Sequence, residues 1–479
     1  MRAKQSFAWA ALALLLCAAG CSVGPKYQRP SAPAPPAYSQ NGRNGDWKHA
    51  KPSDAFNRGS WWSIYGDQQL NRLELRCASS NLSLVAAADA YQQAHQMVLI
   101  AKSSLYPSVG IGPSLSRSRF SRTNPLLPPN VPQTFWDFLI PISISWEPDF
   151  WGTIHRQIQS NQANAQASAA DLANLRLSLQ GLLATTYLQL RGVDLQAQLL
   201  RHTILADQNT LRLTRQRFKV GLDNRSDVEQ AVAQLQQAQA EVVDLGVQRA
   251  QQEHAIAVLV GAPATGFHLA ADPLTGDPPS IPTGIPSELL QRRPDIASME
   301  RRVAAENALI GIAQAAYYPS IMLGAGGGVE SDQISELMHK GSTTWVGSLS
   351  ANEVIFDAGR RKAQVAAILA QRQQAAALYR EQVLSAFREV EDQLSALRVL
   401  AQEEEQQRQV VRAATISTQL SEDRFHQGLD NYLMVLTNQT IELQDEQVEA
   451  NLLTRRMLAS ARLIISLGGG WNVSQLPSN

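Results

Sequence analysis

Four patterns in this chain of 479 residues have the residue types that chemistry would need. Gly20-Cys21-Ser22-Val23-Gly24 fits G-x-S-x-G, the arrangement that presents a nucleophilic serine, but that device needs a strand before it and a helix after it, and neither is written here. Gly324-Ala-Gly326-Gly327-Gly328-Val329 has the look of a phosphate-cradling loop, yet Val329 stands where a third spaced glycine belongs and no helix opens behind it. It reads as the small-residue face of a strand. The eight histidines are scattered, without an H-E-x-x-H or a Cys/His cluster, so no metal site is expected. Glu403-Glu404-Glu405 reads as a solvated helix face. These residues describe neither a catalyst nor a cofactor site.

The one covalent event the sequence does suggest lies at Cys21. Arg2 and Lys4 precede an apolar run, Phe7–Gly20, too short for a bilayer core that needs about 20 helical residues. That run is a secretory signal over 1–20, and Ala18-Ala19-Gly20 before Cys21 resembles a lipoprotein processing site, although Ala18 replaces the usual leucine. A lipid on Cys21 leaves Cys77 without a partner, so no disulfide framework is expected. Ser22, rather than Asp, follows the lipidated position and directs the chain to the outer membrane.

The elements behind these residues are visible in where proline falls. Of 23 prolines none lies in 149–262 or 320–476, two stretches that point to very long helices. With 42 basic and 42 acidic residues there is no basic footprint for nucleic acid. The chain is also written twice. Tyr106-Pro107-Ser108 recurs as Tyr318-Pro319-Ser320, Phe150-Trp151-Gly152 is echoed by Asp357-Ala358-Gly359, and Arg217-Phe218 with Gly221-Leu222-Asp223-Asn224 recurs as Arg424-Phe425 with Gly428-Leu429-Asp430-Asn431. Each half reads helix, strand pair, very long helix, tight turn, long helix. Val383, Phe387, Val390, Leu394, Leu397 and Ala401 form a coiled-coil seam in the second half. Leu172, Leu175, Leu179, Leu182, Thr186, Leu190 and Val193 do so in the first.

The strand pairs alternate with period two: Phe138, Ile140, Ile142, Ile144 and Trp146 oppose Ser143 and Ser145, and Ile321, Leu323 and Val329 oppose glycines. Such segments suit tilted membrane strands, with Tyr106, Tyr317 and Tyr318 at one end and Phe135, Trp136 and Trp345 at the other as aromatic girdles. Four strands cannot close, and an open edge is not viable in lipid. The barrel must therefore be assembled from several copies: two give eight strands, three twelve, four sixteen.

Cys21-Ser-Val-Gly-Pro-Lys-Tyr-Gln-Arg-Pro30 resembles the mature N-terminus of outer-membrane factor lipoproteins of the NodT/OprM type, relatives of TolC. Trp61-Trp62 with Asp67 and Leu70, Arg292-Arg293-Pro294-Asp295-Ile296, Ala316-Tyr-Tyr-Pro-Ser320 and Phe356-Asp-Ala-Gly-Arg360 are similar to its further landmarks. The resemblance implies a mixed fold, a membrane β-barrel plus an all-α barrel, with two repeats per chain. It implies a homotrimer whose 12-stranded barrel continues into a 12-helix periplasmic barrel girdled by an equatorial domain. On this plan the signal peptide is 1–20, a lipidated extended tether 21–58, an equatorial segment and first helix 59–105, the first β-hairpin 106–151 and the first long helical hairpin 152–262. A second equatorial segment and helix is 263–317, the second β-hairpin 318–357, the second helical hairpin 358–468 and the tail 469–479. The belt would come from 60–75, 263–290 and the tail.

The implied function is a passive outer-membrane conduit of a tripartite efflux pump that exports drugs or other small toxic compounds. Its partners would be a periplasmic membrane-fusion adaptor, an inner-membrane transporter of the resistance-nodulation-division or major facilitator type, and outer-membrane lipid. A type I secretion duct shares the fold, and a periplasmic coiled-coil adaptor is a further alternative. The turns Gly221-Leu222 and Gly428-Leu429 would be the periplasmic tips that meet the adaptor. Asp223, Asp227 and Asp430 would become carboxylate rings by symmetry, and Ser226 and Asp227 match the Thr-Asp pair that holds the TolC entrance shut. The pair's partners are absent, since Phe425 and Asp430 stand where Tyr and Arg are expected, so closure by Tyr432, Leu433 and Met434 is expected instead.

Overall fold

The computed structural model describes residues 23–32, 38, 60–121, 133–281 and 288–477. Two short helices come first, α1 (Gln68–Ser80) and α2 (Leu82–Ser103), followed by β1 (Ser108–Ile111), β2 (Ser114–Arg119) and β3 (Thr134–Trp146). A hairpin of α3 (Thr153–Lys219) and α4 (Arg225–Leu259) completes the first half. The second half repeats the plan with α5 (Pro294–Ala315), β4 (Ser320–Ser331), β5 (Thr343–Asn352), α6 (Arg360–His426) and α7 (Tyr432–Ser466). Each of α3 and α6 has 67 residues, and each of α4 and α7 has 35. At 1.5 Å per residue the longer pair reaches about 100 Å.

The boundaries of both hairpins are set by the same residues 207 positions apart, as Thr153 to Arg360 and Arg225 to Tyr432. Gly152 and Gly359 start the long helices in the left-handed region, at φ 78° and 88°. Basic residues fill the last turns, Arg217 and Lys219 in α3 and Arg424 and His426 in α6, where they meet the negative end of the helix dipole. The preceding helices, α2 and α5, are offset by 212, as the extra residues of the first strand pair require.

The short helices α2 and α5 stack end to end on α4 and α7. Asn81 caps the N-terminus of α2 by accepting from Ser83 and Leu84, and its amide donates to the Leu259 carbonyl at the end of α4, 2.9 Å away. Arg293, 212 positions later, donates to the Ser466 carbonyl at 3.0 Å and is held by Asp295 at 2.6 Å and Glu389 at 2.7 Å. Gly261 and Gly468 lie against the Ser80 and Arg292 carbonyls, so a side chain at either joint would collide with backbone. This explains the Arg293-Pro294-Asp295 landmark as a helix joint.

One antiparallel sheet runs β1 and β2, then β3, β4, β5, with β1 and β2 both pairing β3. The first strand is thus broken at Gly112-Pro113, where proline cannot donate to a ladder. Register confirms the alternation: Val109 lies opposite Ile144, Leu115 opposite Phe138, Ile140 opposite Val329 and Leu323 opposite Leu349, all on one face. Ser108 opposite Ser145, and Gly324 opposite Ser348, line the other. Nothing in the chain pairs with the outer edges of β1/β2 or β5 among the described residues.

The main core lies at the waist, where Trp61, Leu70, Leu183, Ile256, Ile296 and Leu394 are buried together. The helical seams are partly shifted from the sequence reading. Leu182 is 52% exposed while Leu183 is buried, and Ala401 is exposed while Leu400 is buried, because side chains of a straight helix drift from a strict seven-residue repeat. Of the extended tether expected over 21–58, residues 23–32 are strapped to the helices. Arg156 holds the Val23 and Gly24 carbonyls, Asn307 the Pro25 carbonyl and Arg380 the Ser31 carbonyl, and Tyr38 is buried in the waist core. Gly24 makes the strap possible: at φ 104°, a Cβ there would lie 2.5 Å from the Gly311 Cα.

Candidate functional site

The two helical tips are near copies. Gly221 and Gly428 both adopt φ 76°, and the Leu222 and Leu429 amides each donate 2.9 Å back to the Arg217 and Arg424 carbonyls, ending the long helices. Leu222 and Leu429 are left 68% and 63% exposed, with no Cβ contact at either glycine, so the four residues offer a bare apolar tip. Asn224 and Asp227 cap α4 reciprocally, and Asn431 caps α7 by accepting from Met434.

These contacts revise the expected carboxylate rings. Asp223 is already paired with Arg217 at 2.9 Å and Asp430 with Arg424 at 2.6 Å, while Asp227 accepts from the Asn224 amide at 3.0 Å. Asp223 and Asp430 are thus each neutralised by an arginine six residues away in sequence, while Asp227 keeps its charge as the cap of α4. Ser226 is exposed at the start of α4. The aromatic closure is revised as well. Tyr432 is buried against Phe425, ring centroids 6.0 Å apart, in a cluster with Leu211, Ala231, Leu235 and Val435. Its hydroxyl is pushed above its ordinary pKa by that burial and by Asp207 and Asp227 nearby. Leu433 and Met434 remain half exposed.

Sequence reasoning missed the contact that ties the two tips together. Arg217 of α3 lies over the Phe425 ring of α6, 4.4 Å from its centroid, and donates to the Phe425 carbonyl at 3.0 Å. Asp223 holds the guanidinium in that pose. The repeated Arg-Phe pair was the signal that could have found it. Beneath this clasp Asp207 is buried, which pushes its carboxyl up to about 6.

On the sheet, the aromatic residues do not all face lipid alike. Tyr318 stacks on Trp151 at 4.8 Å, and the Trp151 indole donates to the Pro319 carbonyl, so this pair seals the joint between sheet and helices. Tyr106 is 71% and Trp345 85% exposed, whereas Trp136 is covered by the Arg117 guanidinium at 5.0 Å. Trp345 pairs with Gly327, which pairs with Ile142, so Trp345 sits six residues along the sheet from Trp136. Cys21 lies outside the described residues. The strap that follows it begins beside the same joint, where the Val23 amide donates to the Trp151 carbonyl.

The belt over the waist is fastened by ion pairs. Asp194 binds Arg191 at 3.1 Å and Arg249 at 2.8 Å, and Arg249 and Arg191 donate to the Leu269 and Ala270 carbonyls. Glu404 corrects the reading of 403–405 as a solvated face. It is 4% exposed and paired with Arg408 at 2.7 Å and with Arg456, which also binds Asp277 of the belt at 3.3 Å. Among the described residues no His, Cys, Asp and Glu side chains gather into a metal-holding group, and no helix is long and apolar enough to cross a membrane.

Comparison with known proteins matches the family model described as outer membrane efflux protein to residues 76–262 and 285–469, one match per repeat. The toluene efflux pump outer membrane protein TtgF of Pseudomonas putida is 29% identical over 473 residues, 97% of this chain and 98% of that protein. The pyoverdine export outer membrane protein OpmQ, also of Pseudomonas putida, is 30% identical over 450 residues, 92% and 94% of the two chains. Among solved structures, the outer-membrane channel OprN superimposes with a TM-score of 0.85 at 27% identity, covering 94% of this chain and all of that one. The Campylobacter jejuni CmeC outer membrane channel, at 22% identity, shares the fold with a TM-score of 0.89 over 95% and 96%.

Proposed function

The chain belongs to the outer membrane efflux protein family, and from that premise we propose that it is the exit duct of a tripartite pump for small molecules. The family places it in the Gram-negative outer membrane, reaching into the periplasm, as the channel component of an efflux system. The observation that carries the reading is the sheet of four strand positions, the first split into β1 and β2, whose two edges are unpaired among the described residues and which is continuous at Gly152 and Gly359 with helices about 100 Å long. In lipid those edges must be satisfied by other copies. Three copies give a 12-stranded barrel and 12 helical columns, because α2 stacks on α4 and α5 on α7 beside α3 and α6.

Small-molecule cargo is favoured over a type I secretion substrate by relatives named for toluene and pyoverdine export. Lipid on Cys21 would enter the membrane next to the Trp151 joint where the strap begins. The exposed Gly221-Leu222 and Gly428-Leu429 tips would receive the membrane-fusion adaptor. The inner-membrane member would be a resistance-nodulation-division or major facilitator transporter. Pull-down of the native complex, with identification of the inner-membrane component, tests this. A transporter of either type supports the reading, and a protein-exporting ATPase overturns it.

A further inference from the structure

The internal repeat makes the contacts between the two halves of one chain a template for contacts between neighbouring copies. Residues of the first half map to the second by adding 207 in the helical hairpins and 212 in α2. A contact from first half to second half within a chain therefore has a counterpart from second half to the first half of the next copy. Exposed apolar residues fall on those counterparts. Within the chain, Asp171 of α3 accepts from Ser298 and Arg302 of α5. The counterparts are Leu378, 47% exposed, and Ala86 and Ala90, both exposed. Within the chain, Gly192 of α3 approaches Thr454 of α7, and a Cβ built on it would lie 3.2 Å from the Thr454 Cβ. The counterparts are Val399 and Val247, 45% and 56% exposed. Both counterpart sets could close as apolar contacts.

At the tips the chemistry reverses. The in-chain seam is an apolar cluster in which Leu211, Ala231 and Leu235 meet Phe425, Tyr432 and Val435. The counterpart positions are Thr418, Asn438 and Glu442 opposite Phe218, Arg225 and Val228 of the next copy, with Thr418 already buried within its own chain. One element survives the mapping whole. Arg424 is braced by Asp430 as Arg217 is braced by Asp223, and its counterpart target is Phe218, 43% exposed and with no cation over its ring among the described residues.

We infer that, between copies, Arg424 caps the Phe218 ring and carbonyl of the next copy, and that this clasp holds shut the tip seams along which the mouth opens. The inference rests on the trimer reading. Higher up, Leu378 against Ala86 and Ala90, and Val399 against Val247, hold the copies together while the tips part. Within each chain the Arg217–Phe425 clasp and its apolar cluster join the two hairpins.

The test uses the full-length lipidated protein in detergent and planar bilayers. Val247→Cys with Val399→Cys should oxidise to a ladder of covalent dimers and trimers, since the template spacing approaches the roughly 3.5–4.5 Å Cβ separation of a disulfide. Phe218→Cys with Arg424→Cys should be joined across copies by a short bismaleimide, and Phe218→Ala should raise single-channel conductance severalfold in a protein that remains trimeric by native mass. A trimer without cross-linking at 218 and 424, or with unchanged conductance in Phe218→Ala, overturns the clasp and leaves the trimer standing. A monomeric native mass overturns the trimer reading and the clasp with it.

Discussion

Glu74 offers a sharp test of the waist. It is fully buried on α1, one turn before Cys77, and neither carboxylate oxygen has a partner among the described residues. Desolvation raises its pKa from the ordinary 4.5 to about 9. At pH 7 the unfolded chain is ionised there and the folded chain is not, so folding takes up a proton against a gap of about 2.5 pH units, which costs about 3 kcal/mol per chain. The sign is fixed by the direction of the shift. Stability is highest below about 4.5, falls as pH rises towards 9, and levels off beyond. Glu74→Gln removes the titration while keeping size and shape, and both the acid and the amide leave polar atoms unpaired. Thermal unfolding in detergent, followed by circular dichroism between pH 5 and 8, should therefore show the variant gaining on the wild type by about 1.4 kcal/mol per pH unit. Parallel pH profiles for the two proteins would refute the reasoning, because they would mean that Glu74 is charged in the fold.

Three further outcomes are expected. Gly24→Val places a branched side chain at φ 104° against the Gly311 Cα, so the strap should lift, and residues 25–32 should become sensitive to limited proteolysis while the helical content stays unchanged. Tyr432→Ala empties the in-chain tip cluster and should cost about 3–5 kcal/mol locally, read as faster amide exchange at 204–214 and 425–436 with the waist protected. Cys21→Ala should abolish labelled palmitate incorporation, and persistence of the label would remove the lipid assignment.

Much of this architecture is legible in the sequence because its signals are local or repeated. Proline absence marks both hairpins, and Gly221 and Gly428 mark their turns to the residue. Alternation in 138–146 and 320–331 yields the correct sheet faces, since a period of two leaves no other choice when one side is apolar. The misreadings share a cause. Glu404 reads as solvated among three glutamates because, beyond the nearby Arg408, its partners Arg456 and, through it, Asp277 lie 52 and 127 residues away in sequence. Asp223 and Asp430 read as free gate carboxylates because ion pairing across a six-residue turn depends on the turn's path, which the composition does not specify. Tyr432 reads as a lumen residue because a single helix cannot say which neighbour its first turn will meet. The power of Pro113 to split the first strand becomes visible only against the unbroken β3.

Writing a six-fold wall as three copies of a double repeat creates two kinds of seam, and selection can act on each separately. A change at Asp171 touches the in-chain seam, whereas a change at Leu378 would, on the inferred template, touch the seam between copies. Six identical hairpins could not be tuned in this way. The inferred division follows that freedom. In-chain contacts combine ion pairs, such as Asp171 with Arg302 at 2.8 Å, with the apolar tip cluster around Tyr432. On the inferred template, hydrophobic contact between copies falls above, on Leu378, Val399 and Val247, and more polar residues fall at the tips. Polar groups that water can solvate cost little to separate, whereas parting an apolar cluster exposes its whole area. On the proposed clasp, a mouth that opens would therefore part Asn438 and Glu442 from the next copy more cheaply than it would separate Phe425 from Tyr432.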